Sequence, residues 1–425
     1  MTKTADTKRI AAALIAGLLI GSAAFCLKRL IACVSQAATV GFHAERTNLW
    51  LILAGVCAIV VSGLLVRKVV RQPLEHATAR MKNDLAEGLS PLPRRIIFAP
   101  ILLNTLTLGL GGSAGAEGPI AYSGAAIASR LARVLKFDKS DLLLFMACGA
   151  GAGIAAIFKA PVGGMFFAIE VLGFTMSTAG LIILATMCLT AGMTAYALGG
   201  FSPNVIFSTW QPLDLKWYVP ALLLGLWCGL YSRYYSTSGR WTADGLGAIK
   251  KPLLRNLVAG LILGASLFMF PALYGEGYGV LADVLNGSYH TLIAGTFARG
   301  LPSDTTAIVT VLCGIILVKS FATYATNSGG GVAGDFAPTI FAGGMAGALF
   351  AIVVSAIPGW ESLPAGDFIL LAMAGVMAGV IKAPLMAIFI VIEMTQRPEL
   401  LLPVALVSLI SFAAVKIQKF SIFKT

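Results

Sequence analysis

Glu117 is the residue whose setting most clearly suggests chemistry. It stands in Gly112-Ser113-Ala114-Gly115-Ala116-Glu117-Gly118-Pro119, within a stretch otherwise too apolar to hold a carboxylate comfortably, and a lone acid at membrane depth marks a functional site. Glycines on both sides leave backbone N–H groups uncovered. Pro119 suits the first turn of a helix, so amides and the positive end of a helix dipole converge on this corner. Such a corner attracts anions, and Glu117 puts a negative side chain in it. An arriving anion has to displace the carboxylate, and a proton on the carboxylate helps it leave. The plainer reading is a helix cap, since acids are common at helix N-termini.

The elements that position this corner recur in the chain. Phe158-Lys159-Ala160-Pro161 through Phe166, Ile169 and Glu170 returns as Ile381-Lys382-Ala383-Pro384 through Phe389, Ile392 and Glu393, at a constant shift of 223 residues. Each copy follows a Gly/Ala-rich helix. Each also follows, further upstream, a glycine-containing break that ends in proline: Gly115 to Pro119 in one half, Gly334-Asp335-Phe336-Ala337-Pro338 in the other. Paired broken segments in two halves point to a midplane binding site in a repeat-built transporter, where half-helix N-termini face an anion. The expected division is 1–240 for the first half and 241–425 for the second, with a polar linker around Ser236 to Lys251.

Composition sets the class. Of 425 residues, 58% are hydrophobic and 12% charged, with a mean hydropathy of +0.87, whereas soluble domains carry roughly 25% charged residues. The expectation is an all-α polytopic membrane protein in the lipid bilayer. Apolar runs long enough to span or nearly span it fall at about 10–27, 48–66, 142–158, 176–199, 217–232, 257–273, 305–318, 338–357 and 400–415. Forty-seven glycines, many inside these runs, favour close helix packing. Thr2 to Arg9 is basic and precedes a run longer than a signal-peptide core, so it reads as the entry to the first membrane helix.

The formal charge of +12 reports orientation, not nucleic-acid binding, because the basic residues gather in loops. Lys3, Lys8 and Arg9, the group from Arg67 to Arg95, and Lys250, Lys251 and Arg255 are all expected on the cytoplasmic side, with the N-terminus, in the cell's inner (plasma) membrane. The seven cysteines read as core residues, neither disulfides nor metal ligands. His43, His76 and His290 are too scattered for a metal site, and no cofactor is expected. There is no clustered His/Asp/Glu set and no activated nucleophile, which argues against an enzyme.

These motifs, in this order over roughly residues 45–410, resemble the CLC family of chloride channels and proton-coupled anion exchangers, in its prokaryotic type. Gly115-Ala116-Glu117-Gly118-Pro119 resembles the family's G(R/K)EGP and makes Glu117 the counterpart of its gating glutamate. Gly334-Asp335-Phe336-Ala337-Pro338 resembles GxFxP, which implies that backbone amides near Phe336 and Ala337 hold the central anion. The resemblance thus implies an inverted repeat of tilted and broken helices, a homodimer with one pore per subunit, and anion contacts from Gly115, Ala116, Gly118, Gly334, Phe336 and Ala337. Little sequence follows the last apolar run, so the cytoplasmic nucleotide-binding domains of many eukaryotic relatives are not expected in this sequence.

Three positions depart from the family pattern. GSGIP, the first anion motif, is absent about forty residues before Glu117. Thr78 is a candidate hydroxyl there, although a solvated cytoplasmic segment is the favoured reading of that region. The family's late tyrosine is missing too, with Phe420 the nearest match and Ser421 beside it. Val171 stands where exchangers often carry a second, internal glutamate. A valine carries no proton, so the favoured expectation is a chloride channel gated by Glu117. The alternative is a proton-coupled chloride or fluoride antiporter with Glu117 as the proton carrier. Lys159, Lys382, Glu170 and Glu393 are expected to share a helix-packing role near helix ends, and Asp335 is expected to cap the helix that follows it.

Overall fold

Apolar runs become helices here because in lipid every backbone N–H and C=O must find its partner within the chain. The computed structural model describes residues 3–40, 49–70, 77–88, 91–200, 214–301 and 303–422. In chain order the helices are α1 Lys3–Ala38, α2 Trp50–Leu65, α3 Ala77–Ala86, α4 Arg95–Gly109, α5 Glu117–Val134, α6 Lys139–Phe158, α7 Pro161–Phe166 and α8 Thr178–Gly199. They continue with α9 Tyr218–Gly247, α10 Pro252–Met269, α11 Tyr278–Leu285, the single turn α12 His290–Ile293, α13 Asp304–Ser328, α14 Phe336–Ser355, α15 Ala365–Ile381, α16 Pro384–Thr395 and α17 Leu401–Ile422. Among the described residues, eight helical stretches are long and apolar enough to cross a membrane. Shorter apolar helices such as α4, α15 and α16 lie between them.

With α9, which begins before the expected boundary at residue 240, counted in the second half, the two halves repeat each other's packing. α1 lies on α8 as α9 lies on α17, α4 on α5 as α13 on α14, and α5 on α6 as α14 on α15. α2 packs on α10, and α7 on α16, joining the halves. The inner helices differ from the outer ones in burial: 89% of the apolar window of α6 and 78% of that of α14 are buried, against 44% for α1. The apolar side chains that α1 leaves exposed, such as Leu14, Ile15, Leu18 and Leu19, therefore suit lipid rather than protein. Where α5 crosses α6, a β-carbon on Gly124 or Gly149 would collide with the other's carbonyl. Only glycine permits that approach, and it substitutes for the hydrophobic force that lipid cannot supply.

Glu170 and Glu393 hold the join reciprocally. Glu170 follows α7 in a π-helical turn, Phe167–Val171, and its carboxylate accepts the N–H groups of Leu385 at 3.3 Å and Met386 at 2.8 Å, at the start of α16. Glu393, on α16, accepts those of Val162 at 3.1 Å and Gly163 at 2.9 Å, at the start of α7. Each acid thus satisfies orphan donors at the other's helix N-terminus. Lys159 and Lys382 occupy equivalent left-handed positions, φ 56° and 64°, at the ends of α6 and α15, where the chain must turn before Ala-Pro. At the start of α6, Asp138 accepts the N–H of Asp141 and the hydroxyl of Ser140, both at 2.8 Å. Those bonds hold its carboxyl below the usual range.

Three expectations need correction. Ser236 to Gly247 form no linker but continue α9 as helix, leaving only Ala248 to Lys251 as the turn into α10; Ser238 is buried there and bonds Ser320 Oγ at 2.7 Å, so its polarity serves packing. Cys148, Cys188 and Cys228 are buried, but Cys26, Cys33 and Cys57 are exposed and Cys313 is half-buried. An apolar residue on an outer helix face of a membrane protein need not be core. Finally, Asp335 makes no side-chain cap bond to α14: its backbone is at φ −105°, ψ −5°, not the extended conformation of a capping residue. Its Oδ1 accepts the amide of Asn327 instead.

Candidate functional site

The two glycine breaks meet. Gly115 and Gly334 exchange both backbone hydrogen bonds, Gly115 N–H to Gly334 C=O at 2.9 Å and Gly334 N–H to Gly115 C=O at 2.7 Å, an isolated antiparallel bridge among helices. Asn104 of α4 clamps the pair, donating its amide to the carbonyls of Val332 at 2.8 Å and Gly115 at 3.3 Å. Thr107, one turn on, accepts the N–H of Val332 at 3.1 Å. Backbone that would be unsatisfied in lipid is thus paired within the protein.

Fixing the bridge sets two helix N-termini, those of α5 and α14, against each other. Glu117, 1% exposed, is the first residue of α5, yet its Oε1 accepts the N–H of Ala337 on α14 at 2.8 Å. Its Oε2 is buried without a hydrogen-bond partner. The carboxylate therefore occupies the point where the dipoles and free amides of two helices converge, a seat built for an anion. Gly115, Ala116, Gly118, Gly334, Phe336 and Ala337 all lie around it. Phe336 is buried and packs edge-on against Phe167, with ring centroids 5.7 Å apart. The helix-cap reading of Glu117 is too local, because the bond crosses to the other half of the repeat.

Thr78 corrects the expectation of a solvated segment. It lies in α3, whose Met81, Asp84 and Leu85 are buried, and α3 packs on α5. Asp84 Oδ2 accepts the Tyr122 hydroxyl at 2.7 Å. A β-carbon on Gly118 would stand 3.6 Å from Thr78 Oγ1, so this hydroxyl adjoins the start of α5. Apolar residues at positions 81, 85 and 92 bring the segment in; its polar sequence hides that. The side chains of Phe420 and Ser421 lie outside the described residues, as do His43 and His76. Val171 ends the π turn, partly buried against the core.

Four residues near Glu117 were not singled out in the sequence. Lys319, on α13, is 1% exposed; its Nζ donates to Ser113 Oγ at 2.8 Å and lies 5.0 Å from the ring centroid of Phe341. Ser113 Oγ in turn donates to the Leu273 carbonyl at 2.5 Å. Glu276, in the turn between α10 and α11, accepts the N–H of Ala116 at 3.3 Å. Lys28, on α1, lies 5.9 Å from the ring centroid of Tyr278. The Tyr278 hydroxyl is buried without a hydrogen-bond partner. A lysine inside or at the edge of an apolar helix was the available signal for Lys28 and Lys319; nothing local marks Glu276.

Residues 57–416 match the family described as voltage gated chloride channel. Over 410 residues the chain is 28% identical to a putative chloride channel protein ClcB-like of Ralstonia nicotianae, covering 89% of this chain and 90% of that one. It is 26% identical to the H(+)/Cl(-) exchange transporter ClcA of Vibrio vulnificus, covering 71% and 62% respectively. Its fold is similar to that of a slow cyanobacterial Cl-/H+ antiporter solved by X-ray crystallography, with a TM-score of 0.78 at 21% identity over 96% of this chain and 94% of that one.

Proposed function

The chain belongs to the voltage-gated chloride channel family, and from that premise we propose that it carries chloride or a similar small anion through a path gated by Glu117. The observation that supports this most is the bond from Ala337 N–H to the Glu117 carboxylate at 2.8 Å, since a negative side chain there competes with any anion for the same amide. Selectivity then rests on the energy of desolvating the ion among helix N-termini and hydroxyls. Thr78, beside Gly118, offers one such hydroxyl.

The mode we favour is a channel. Val171 offers no carboxylate on the inner side, so a proton that frees Glu117 enters and leaves from the outer face. The basic loops support an orientation with Lys250, Lys251 and the N-terminus on the cytoplasmic side of the plasma membrane. The protein works as a homodimer with a pore in each subunit, as a transporter or channel and not an enzyme.

Proton-coupled exchange is the second reading, and Asp335 favours it. This acid interacts electrostatically with Glu117 and with Tyr235 and Tyr324. Asn327, its partner, lies eight residues beyond Lys319 on α13, about 12 Å along the axis, so Asp335 is held well away from the Lys319 end of that helix. An acid there can stand in for the one missing at Val171. The ClcA relative, named an exchanger, agrees with this reading. Simultaneous recording of chloride and proton movement in proteoliposomes decides the mode: chloride efflux without uphill proton movement supports the channel, and a fixed proton-to-chloride ratio supports the exchanger. No chloride movement at all would end both readings.

A further inference from the structure

The geometry points to Glu276 as a second gate in series with Glu117: a carboxylate that occupies the Ala116 amide on the approach to the anion seat and must release it before an anion enters. This rests on the anion-transport reading and adds to it a residue that the family motifs do not contain.

Position comes first. α10 starts at Pro252, beside the basic pair Lys250 and Lys251, and ends at Met269; eighteen helical residues carry the chain about 27 Å. α10 therefore ends on the opposite side from that basic pair, and Glu276 lies in the turn that follows it. Its half-buried side chain accepts the N–H of Ala116 at 3.3 Å, one residue before Glu117. The next carboxylate inward, Glu117, accepts the N–H of Ala337 at 2.8 Å. Two carboxylates thus take up two neighbouring backbone amides, Ala116 at the start of α5 and Ala337 at the start of α14, each where an anion would bind.

Charge balance gives the pair its meaning. Glu276 faces Lys28 of α1 and Lys319 of α13, and both ammonium groups also interact with Glu117. Tyr278, on α11, feels both acids and has a buried hydroxyl with no hydrogen-bond partner. Lys159, which interacts with Lys28, is half-buried. Asp335, whose carboxylate accepts the amide of Asn327, also interacts with Glu117. Around the two amides two carboxyl groups and two lysine side chains thus interact with one another. Protonating either acid removes a negative charge from beside the two lysines in a poorly solvated place, and an entering anion replaces it. Anion entry then follows two titrations instead of one. The lysines that hold Glu276 become the cations that receive the ion, and the Tyr278 hydroxyl gains a partner.

The test is chloride efflux from proteoliposomes at symmetric pH, from mildly acidic to mildly alkaline, for wild type, Glu276→Gln, Glu117→Gln and the double variant. Gln keeps the size of Glu but cannot carry the charge. Glu276→Gln should speed efflux at neutral pH by roughly three- to tenfold, because a charge-assisted bond to the amide is lost, and should make the pH curve shallower. Glu117→Gln should keep a residual pH dependence, and the double variant should be flat. A Glu276→Gln curve superimposable on wild type overturns the second gate while leaving Glu117 in place. So does a flat curve for Glu117→Gln alone, which decides the matter even if Glu276→Gln does not fold. A wild-type protein that moves no chloride removes the transport reading and the second gate together.

Discussion

The carboxylate of Glu117, which opens one half's broken helix, accepts the backbone N–H of Ala337 in the other half at 2.8 Å. A bond from an amide to an ionised acceptor is worth roughly 1.5–3 kcal/mol, and an anion must compete with it. Glu117→Gln should therefore tighten chloride binding by about an order of magnitude or more. Calorimetry on purified protein reads this directly; equal affinity in both proteins would mean that chloride binds elsewhere.

Gly334 leaves no room for a side chain. A β-carbon there would stand 2.7 Å from Glu117 Oε2 and 2.7 Å from the Gly118 nitrogen, and the second neighbour is backbone that cannot swing away. Gly334→Ala should expel the Glu117 carboxylate and distort the start of α5. The expected outcome is a folded protein with chloride flux reduced tenfold or more, or a protein of clearly lower melting temperature. Unchanged flux and unchanged melting would refute the close approach of the two breaks.

Thr78 is placed to contribute a hydroxyl beside Gly118. Thr78→Val keeps the shape and removes the donor, which should weaken chloride binding by about 1 kcal/mol, roughly fivefold. With neither the family's serine nor its tyrosine recognisable, wild-type affinity is expected to be millimolar or weaker. Submillimolar binding that survives Thr78→Val would point to a different hydroxyl.

Glu170 and Glu393 each accept two N–H groups across the join between halves. Removing either by mutation to Ala leaves two donors at a helix start without their charged acceptor, at a cost of about 2–4 kcal/mol. The melting temperature should fall while the pH dependence and the anion preference stay as in wild type. A changed proton-to-anion ratio in Glu170→Ala would instead give this acid a part in transport.

What the sequence revealed of the site was whatever is encoded locally. The two glycine-proline breaks, the Lys-Ala-Pro repeat and Glu117 are each a short run of residue types with one backbone consequence, so the broken helices, the repeat and the acid at the helix start were all legible. The backbone pairing of Gly115 with Gly334 was not read from the sequence, because nothing local in either break shows which residues of the other it meets. Thr78 was harder, because α3 is short and mostly polar, and only the burial of Met81 and Leu85 shows that it packs inward. Glu276 was not legible at all: it lies 160 residues from the Ala116 amide it meets, and an acid between two glycines in a turn resembles any solvated loop. The polar stretch after Ser236 misled for the opposite reason, since serines in membrane helices bond to neighbouring helices as readily as to water.

The most direct measurement of the central claim is the rate of chloride efflux at neutral pH from proteoliposomes holding equal amounts of wild-type protein and Glu117→Gln. If the carboxylate occupies the seat of the anion, the variant should release chloride about tenfold faster and move no protons with it. Equal rates for the two proteins at every pH would contradict the assignment of Glu117 as the gate.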